Sequence, residues 1–421
     1  MNHMSRGGLA ELSMRLTRDD KGRIYPTLSN ALLMLALDPA LSGLIGYNEF
    51  EEEPQMHASP PRMNDGDPFA PGPYPRAIRP SDCIAICAYI QRAHAAKMEL
   101  KTVEHAMLAE AERRRFHPVR DWLDSLKWDG TPRLDAWLIH AFGADDTPYT
   151  RAVGSKTLIA AVRRVREPGV KFDTMPVLEG KQGAGKSRTV RRLFSQDWFT
   201  DSMPSDLKSK DGMQALLGAW CVEFAEIEHL IRTDTETIKA FLSRPVERYR
   251  PAYGKHFVKR PRQCVFIGTT NATDYLRDTT GNRRIWPVEC KHADEKWVED
   301  NRVQLWAEAA AREASGETLW LEEDALTEAV AAQAERLQDD SWGERIARWL
   351  DNPDNRYGVA AEYVTTATVL SDALGLRASE MNKSAEMRAG TVLARLGWER
   401  VLKRVEGKPK RVWLRPGSDS Q

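Results

Sequence analysis

The sequence predicts an α/β protein in which short buried strands alternate with helices, and three stretches carry that prediction. Met175–Phe194 (MPVLEGKQGAGKSRTVRRLF) joins an apolar run to a glycine-rich loop and then to a basic amphipathic helix. Trp220–Glu228 (WCVEFAEIE) and Cys264–Asn271 (CVFIGTTN) are apolar runs ending in polar residues. Runs of this length, bounded by polar and glycine residues, read as buried strands.

At 421 residues the chain has material for about three domains. Lys plus Arg equals Asp plus Glu, 61 against 61, so no global affinity for polyanions is expected and local basic stretches matter more. The five cysteines are scattered: Cys221 and Cys264 sit in strand-like runs, and Cys83 and Cys87 lack a second Cys/His pair for a zinc site. The N-terminal MNHMSRGGLAEL has no apolar signal core, and no stretch approaches a membrane span, so a soluble, cytoplasmic protein is expected.

Residues 1–116 read as a mainly helical accessory region. Pro26–Leu37 looks like a capped helix, and 51–80, rich in Pro, Gly and acids, reads as a long loop. Helical periodicity returns from Ser81 to Phe116 and ends in Arg113–Arg115, a solvated helix end. From His117 to Val170 the text is helical and tryptophan-rich, with Trp122, Trp128 and Trp137 expected in a core.

Gly180-Lys-Gln-Gly-Ala-Gly-Lys186-Ser187 is G-x-x-x-x-G-K-[ST], placed between a strand and a helix as a phosphate-binding loop requires. Gly180, Gly183 and Gly185 free the backbone so that N–H groups, with those of Ala184 and Arg188, can turn toward one phosphate cluster. Lys186 can reach the β- and γ-phosphates, and the Ser187 hydroxyl can ligate Mg²⁺. These residues predict a site for ATP or GTP.

The next strand ends in acids. Glu226 is the first candidate to orient the Mg²⁺ shell or polarise a water, and Glu223 the second. In a regular strand the two point to opposite faces, so a bulge or an early strand end is needed for both to serve. Arg248–Arg262 (RYRPAYGKHFVKRPR) reads as a basic hairpin, either solvated or presenting Lys255, His256, Lys259 and Arg260 to a nucleic-acid backbone. Asn271 closes the following strand where it can hydrogen-bond a γ-phosphate or lytic water. Arg283 and Arg284, entering another apolar strand, either neutralise charge on a phosphoryl group or form structural ion pairs.

Residues 296–340 look helical, as a linker or lid. Residues 341–416 suggest three helices and two strands in a winged-helix pattern, with seven Lys or Arg against two Glu over 399–415. Such a unit can contact duplex DNA or protein.

The order of nucleotide loop, acidic strand, basic hairpin, strand ending in Asn and paired arginines resembles the superfamily 3 helicases of the AAA+ class. It is more similar still to the virulence-associated E family of prophage, satellite and plasmid replication proteins. The phrases that carry this are HPVRDWLDSLKWDGTPRLDAWL, EGKQGAGKS, WCVEFAEIE, KAFLSRPVERYRPAYGK, FIGTTN and LRDTTGNRRIWPV. The resemblance implies an AAA+ type ATPase core over 117–295, a parallel sheet with flanking helices. It further implies an ATP- and Mg²⁺-dependent DNA helicase that self-associates into a ring, a hexamer in that superfamily, and acts in replication of a mobile element. Lys186 and Ser187 would bind nucleotide and metal, Glu226 would activate water, and Asn271 would act as sensor. Arg283 or Arg284 would reach a neighbouring subunit's ATP, and Lys255 and His256 would grip single-stranded DNA. No primase motif precedes this part, so priming by this chain is not expected, and a separate primase or other replication proteins are candidate partners. The competing expectations are an ATP-switched initiator that binds duplex DNA without unwinding it, and an ATPase regulating protein assembly.

Overall fold

The computed structural model describes residues 4–62, 64, 72–204, 206–250, 256–276, 282–337, 341–352, 363–405 and 408–415. Its first region contains α1 (Met4–Arg15), α2 (Leu28–Leu37), β1 (Ile45–Asn48), β2 (Glu53–Met56), β3 (Arg76–Ala77), α3 (Pro80–Ala93), α4 (Leu100–Arg113) and β4 (Arg115–Phe116). Thr27 caps α2 by accepting from the Asn30 N–H. The four strands form one sheet in the order β3-β2-β1-β4. Met34, Leu35, Ile86, Ile90 and Met107 make its buried core. The expected loop over 51–80 therefore contains two strands. It is also tied down by a buried ion pair, in which Arg76 donates to both Asp82 oxygens at 2.6 and 2.7 Å.

The central body follows with α5 (Pro118–Ser125), α6 (Trp137–Phe142), α7 (Pro148–Arg166), β5 (Met175–Glu179), α8 (Lys186–Phe194), β6 (Phe199–Thr200), α9 (Lys210–Gln214), β7 (Cys221–Phe224) and α10 (Ile227–Ser243). It continues with β8 (Val246–Tyr249), β9 (Val258–Pro261), β10 (Val265–Thr270), β11 (Ile285–Glu289), α11 (Glu295–Ala314) and α12 (Glu323–Glu335). Five strands form a sheet in the order β11-β5-β10-β7-β6, and every pairing in it is parallel. Every residue of β5, β7 and β10 is buried, which requires cover on both faces. Alternate residues supply the two cores. Leu178, Cys221, Val265 and Ile267 face α7, α8 and α11, whereas Val177, Val222, Phe224 and Phe266 face α10. β8 and β9 pair only with each other, as an antiparallel ribbon.

Two expectations change here. Helix α11 is part of the body rather than a linker or lid: Trp306 is fully buried, stacks near Trp220 and donates its indole N–H to the Leu193 carbonyl at 2.8 Å. Of the three tryptophans expected in a core, Trp137 is buried and Trp122 half-buried, but Trp128 is exposed and donates to the Thr131 carbonyl.

The last unit holds α13 (Ser341–Leu350), β12 (Tyr363–Val364), α14 (Thr366–Thr368) running into a π turn over Val369–Ala373, α15 (Lys383–Arg395), β13 (Glu399–Val405) and β14 (Lys408–Leu414). Its antiparallel sheet has the order β12-β14-β13. It closes around its own core of Ile346, Leu370, Leu393, Trp398 and Trp413. All five cysteines are free and buried. No helix among the described residues is long and apolar enough to cross a membrane.

Candidate functional site

Strand β5 delivers the chain into a loop that folds back on itself before α8. At Gly180 the backbone has φ +149°, and a Cβ there would lie 2.6 Å from the Cys290 carbonyl oxygen, so the chain after β11 leaves no room for any other residue. Gly185 caps α8 at φ +89°, a conformation that costs a residue with a side chain free energy. The first turn of α8 then borders a cleft of about 490 Å³. Gly183, Ala184, Gly185, Lys186, Ser187 and Arg188 form one wall, and Glu226, Thr269, Thr270 and Asn271 another. N–H groups in the first turn of a helix lack helical partners and favour anions.

Lys186 is bent over the loop. Its ammonium donates to the Gly180 carbonyl at 2.6 Å, the Lys181 carbonyl at 3.1 Å and Asn271 Oδ1 at 3.5 Å. Burial holds its pKa below the ordinary lysine range. Asn271 is thus brought to the lysine by β10, which lies between β5 and β7.

Strand β7 contributes Glu223, which is 1% exposed. Its Oε1 accepts from the Ser187 hydroxyl at 2.6 Å and from the Thr269 hydroxyl at 2.7 Å. Its Oε2 is buried and has no hydrogen-bond partner among the described residues. Burial pushes the carboxyl above the usual range, against the two hydroxyl donors. Strand β7 stops at Phe224, and Glu226 takes up a left-handed φ of 50° before α10. That early end sets Glu226, with its side chain 60% exposed, on the rim of the cleft, while Glu223 lies buried beneath Ser187. The serine partner is therefore Glu223, the residue the sequence ranked second. Thr269 and the buried Thr270–Glu228 hydrogen bond of 2.6 Å were not singled out from sequence. The adjacent threonines of FIGTTN were the available signal. The residues present fit a hard divalent cation: a hydroxyl, a carboxylate and an orphaned carboxylate oxygen are all oxygen ligands.

The arginines do not join this cleft. Strands β11 and β5 pair in parallel, with Ile285 beside Met175 and Glu289 beside Glu179. Arg283 and Arg284 precede β11, so the length of β5, about 16 Å, separates them from the loop, farther than an arginine side chain reaches. Arg284 donates to Ser243 Oγ at 2.8 Å and lies 3.4 Å from Asp173, an internal ion pair. Arg283 is exposed beside Trp286 and Trp320 and has no ion-pair partner among the described residues. Arg188, at the cleft, pairs with Glu295 at 2.9 Å and remains 71% exposed.

On the β8–β9 hairpin, Lys255 lies outside the described residues. His256 and Lys259 are exposed. Arg260 differs from the expectation: it is turned toward the first region and ion-paired with Glu52.

A family model described as the virulence-associated protein E-like domain matches residues 123–338. Among solved structures, the apo structure of the NrS-1 C-terminal region (305–718) is similar over 69% of this chain and 78% of that one, with 15% identity and a TM-score of 0.38. The A-form apo structure of the same region has the same coverage and identity, with a TM-score of 0.41. No curated protein matches the sequence.

Proposed function

Because the chain belongs to the virulence-associated protein E-like family, we propose that it is an ATP-dependent DNA helicase that works as a ring of copies in the replication of a mobile element. The observation that carries the nucleotide reading is the Ser187–Glu223 hydrogen bond beneath the loop, with a second, unpartnered Glu223 oxygen. Ser187 and Glu223 would hold Mg²⁺, which supplies charge neutralisation at the phosphates. Lys186 would exchange the loop carbonyls for phosphate oxygens. Its present partners are neutral carbonyl and amide oxygens, so a phosphate is the stronger acceptor. Glu226, exposed at the rim, would take the proton from an attacking water. Asn271 would hydrogen-bond the terminal phosphate while still touching Lys186.

The ring reading is supported by the distance between the arginines and their own cleft. Arg283, exposed at the opposite end of β5, can serve only a neighbouring copy, whereas Arg284 is held by Asp173 and Ser243. The DNA and replication setting rests on the ordered phrases quoted above and on the hairpin's cations.

Binding of labelled ATP and phosphate release, each with and without Mg²⁺, test the site. Lys186→Ala should abolish binding, and Glu223→Gln should remove its Mg²⁺ dependence. Glu226→Gln should bind ATP but hydrolyse it about 100-fold more slowly or worse. Wild-type turnover in Glu226→Gln contradicts its assignment as base.

A second reading, an ATP-switched initiator that binds duplex DNA without unwinding it, is favoured by one feature. The β13–β14 ribbon sets Lys403 beside Lys410 and Leu402 beside Arg411, and Arg404, Lys410 and Arg411 are exposed. Strand displacement of a forked duplex separates the two: the helicase releases the strand with ATP, and the initiator leaves it paired.

A further inference from the structure

The β8–β9 ribbon has two unlike faces. Residues alternate along a strand, so Glu247, Tyr249 and, across from them, Val258 and Arg260 share one face. Glu247 is 2% and Tyr249 5% exposed, Glu247 pairs with the buried Arg262, and Arg260 pairs with Glu52. That face is committed to packing.

The other face is exposed among the described residues. Arg248 and Lys259 stand directly opposite one another in register, and both are exposed. Phe257, two residues before Lys259, follows on the same face. At 65% exposure it is the most exposed aromatic among the described residues, well beyond Tyr25 at 44% and Trp320 at 43%. The Arg248 guanidinium lies over one side of its ring, 5.5 Å from the centroid. Neither Arg248 nor Lys259 has a carboxylate partner among the described residues. A hairpin that were merely solvated would gain nothing from a large ring in water. A ring backed by a guanidinium on one side, open on the other and flanked by cations can stack a base while the cations take the adjoining phosphates.

We propose that Phe257 is a base-stacking platform, with Arg248 and Lys259 as its phosphate contacts, in a site for single-stranded nucleic acid. Its ligand is an unpaired strand, because bases inside a duplex are already stacked on both sides. This rests on the nucleic-acid reading of the hairpin, and it goes beyond the Lys-His tip and Lys259 in naming what recognises the strand.

Fluorescence anisotropy of the full chain tests it with three probes: a labelled single-stranded oligonucleotide, an abasic strand of equal length, and the duplex. Phe257→Ala should weaken the ordinary strand about ten-fold and leave the abasic strand unchanged. Phe257→Trp should retain wild-type affinity. Because Phe257 is exposed, neither variant should shift the melting temperature. Arg248→Gln with Lys259→Gln should weaken both single strands and flatten the salt dependence by about 0.7 in log–log slope per cation lost. If wild type binds the single strand but Phe257→Ala binds it equally well, or loses the ordinary and abasic strands alike, the platform is wrong while the cationic site stands. If wild type binds no single strand, the nucleic-acid reading fails, and the platform fails with it.

Discussion

Glu223 shows how a single residue's surroundings define a role that spacing alone ranked lower. On sequence, Glu226 ranks first because it sits nearer the strand's end. The structure gives Ser187 to Glu223 because β7 ends early and β10 brings Thr269 alongside. Two pH effects of opposite sign follow. Burial raises the Glu223 carboxyl, so in the metal-free protein its contribution to stability is greatest where it is protonated and is lost as pH rises from the unfolded to the folded pKa. The proposed Mg²⁺ ligand is the carboxylate form, so on that proposal the gain in melting temperature on adding Mg²⁺ should shrink as pH falls toward that raised value. Thermal denaturation across pH, with and without Mg²⁺, should show both trends, and Glu223→Gln should remove them. Spacing alone does not decide between the arginines' two roles. Arg284→Ala strips the buried Asp173 of its partner and should cost about 1–3 kcal/mol of stability. Arg283→Ala should melt with wild type, because its side chain is exposed. Chemical denaturation separates these two.

At the scale of elements, the strands around the cleft are legible because each is a short, mainly apolar run ending in polar residues, and the loop joining β5 to α8 has a spacing that little else shares. The short strands β2 and β3 are not, since four and two residues interrupted by Pro54 carry no periodic signal. The text of helix α11, rich in Ala and Glu, suits a linker or lid. Small alanines, however, let it pack closely against the rest of the body, with Ala309 and Trp306 fully buried. Trp306→Ala should therefore cost about 3–5 kcal/mol, measured by urea unfolding, whereas truncating a residue on a loosely attached lid would cost far less. The hairpin's basic character was plain in sequence, but which cations are free was not. That depended on Glu52, some 200 positions earlier in the chain, and no local pattern reports so distant a partner.

For the whole molecule, the quoted phrases arrive in chain order, yet their spatial order, β11-β5-β10-β7-β6, is set by pairing between distant segments. That arrangement puts the glycine-rich loop at one end of β5 and the arginines at the other. The proposed contact between these two different surfaces would be head-to-tail, and repeated it would yield a ring or a filament. Turnover per chain should accordingly rise with protein concentration, as a dilution series of phosphate release would show.

The central claim is that one copy's cleft is completed by another copy's Arg283. It is tested most directly by measuring ATP hydrolysis in a mixture of Lys186→Ala and Arg283→Ala chains, each inactive alone. In mixed assemblies the first supplies Arg283 and the second supplies an intact cleft, so activity should return. A mixture as inactive as its components, despite demonstrated co-assembly, would contradict the shared site.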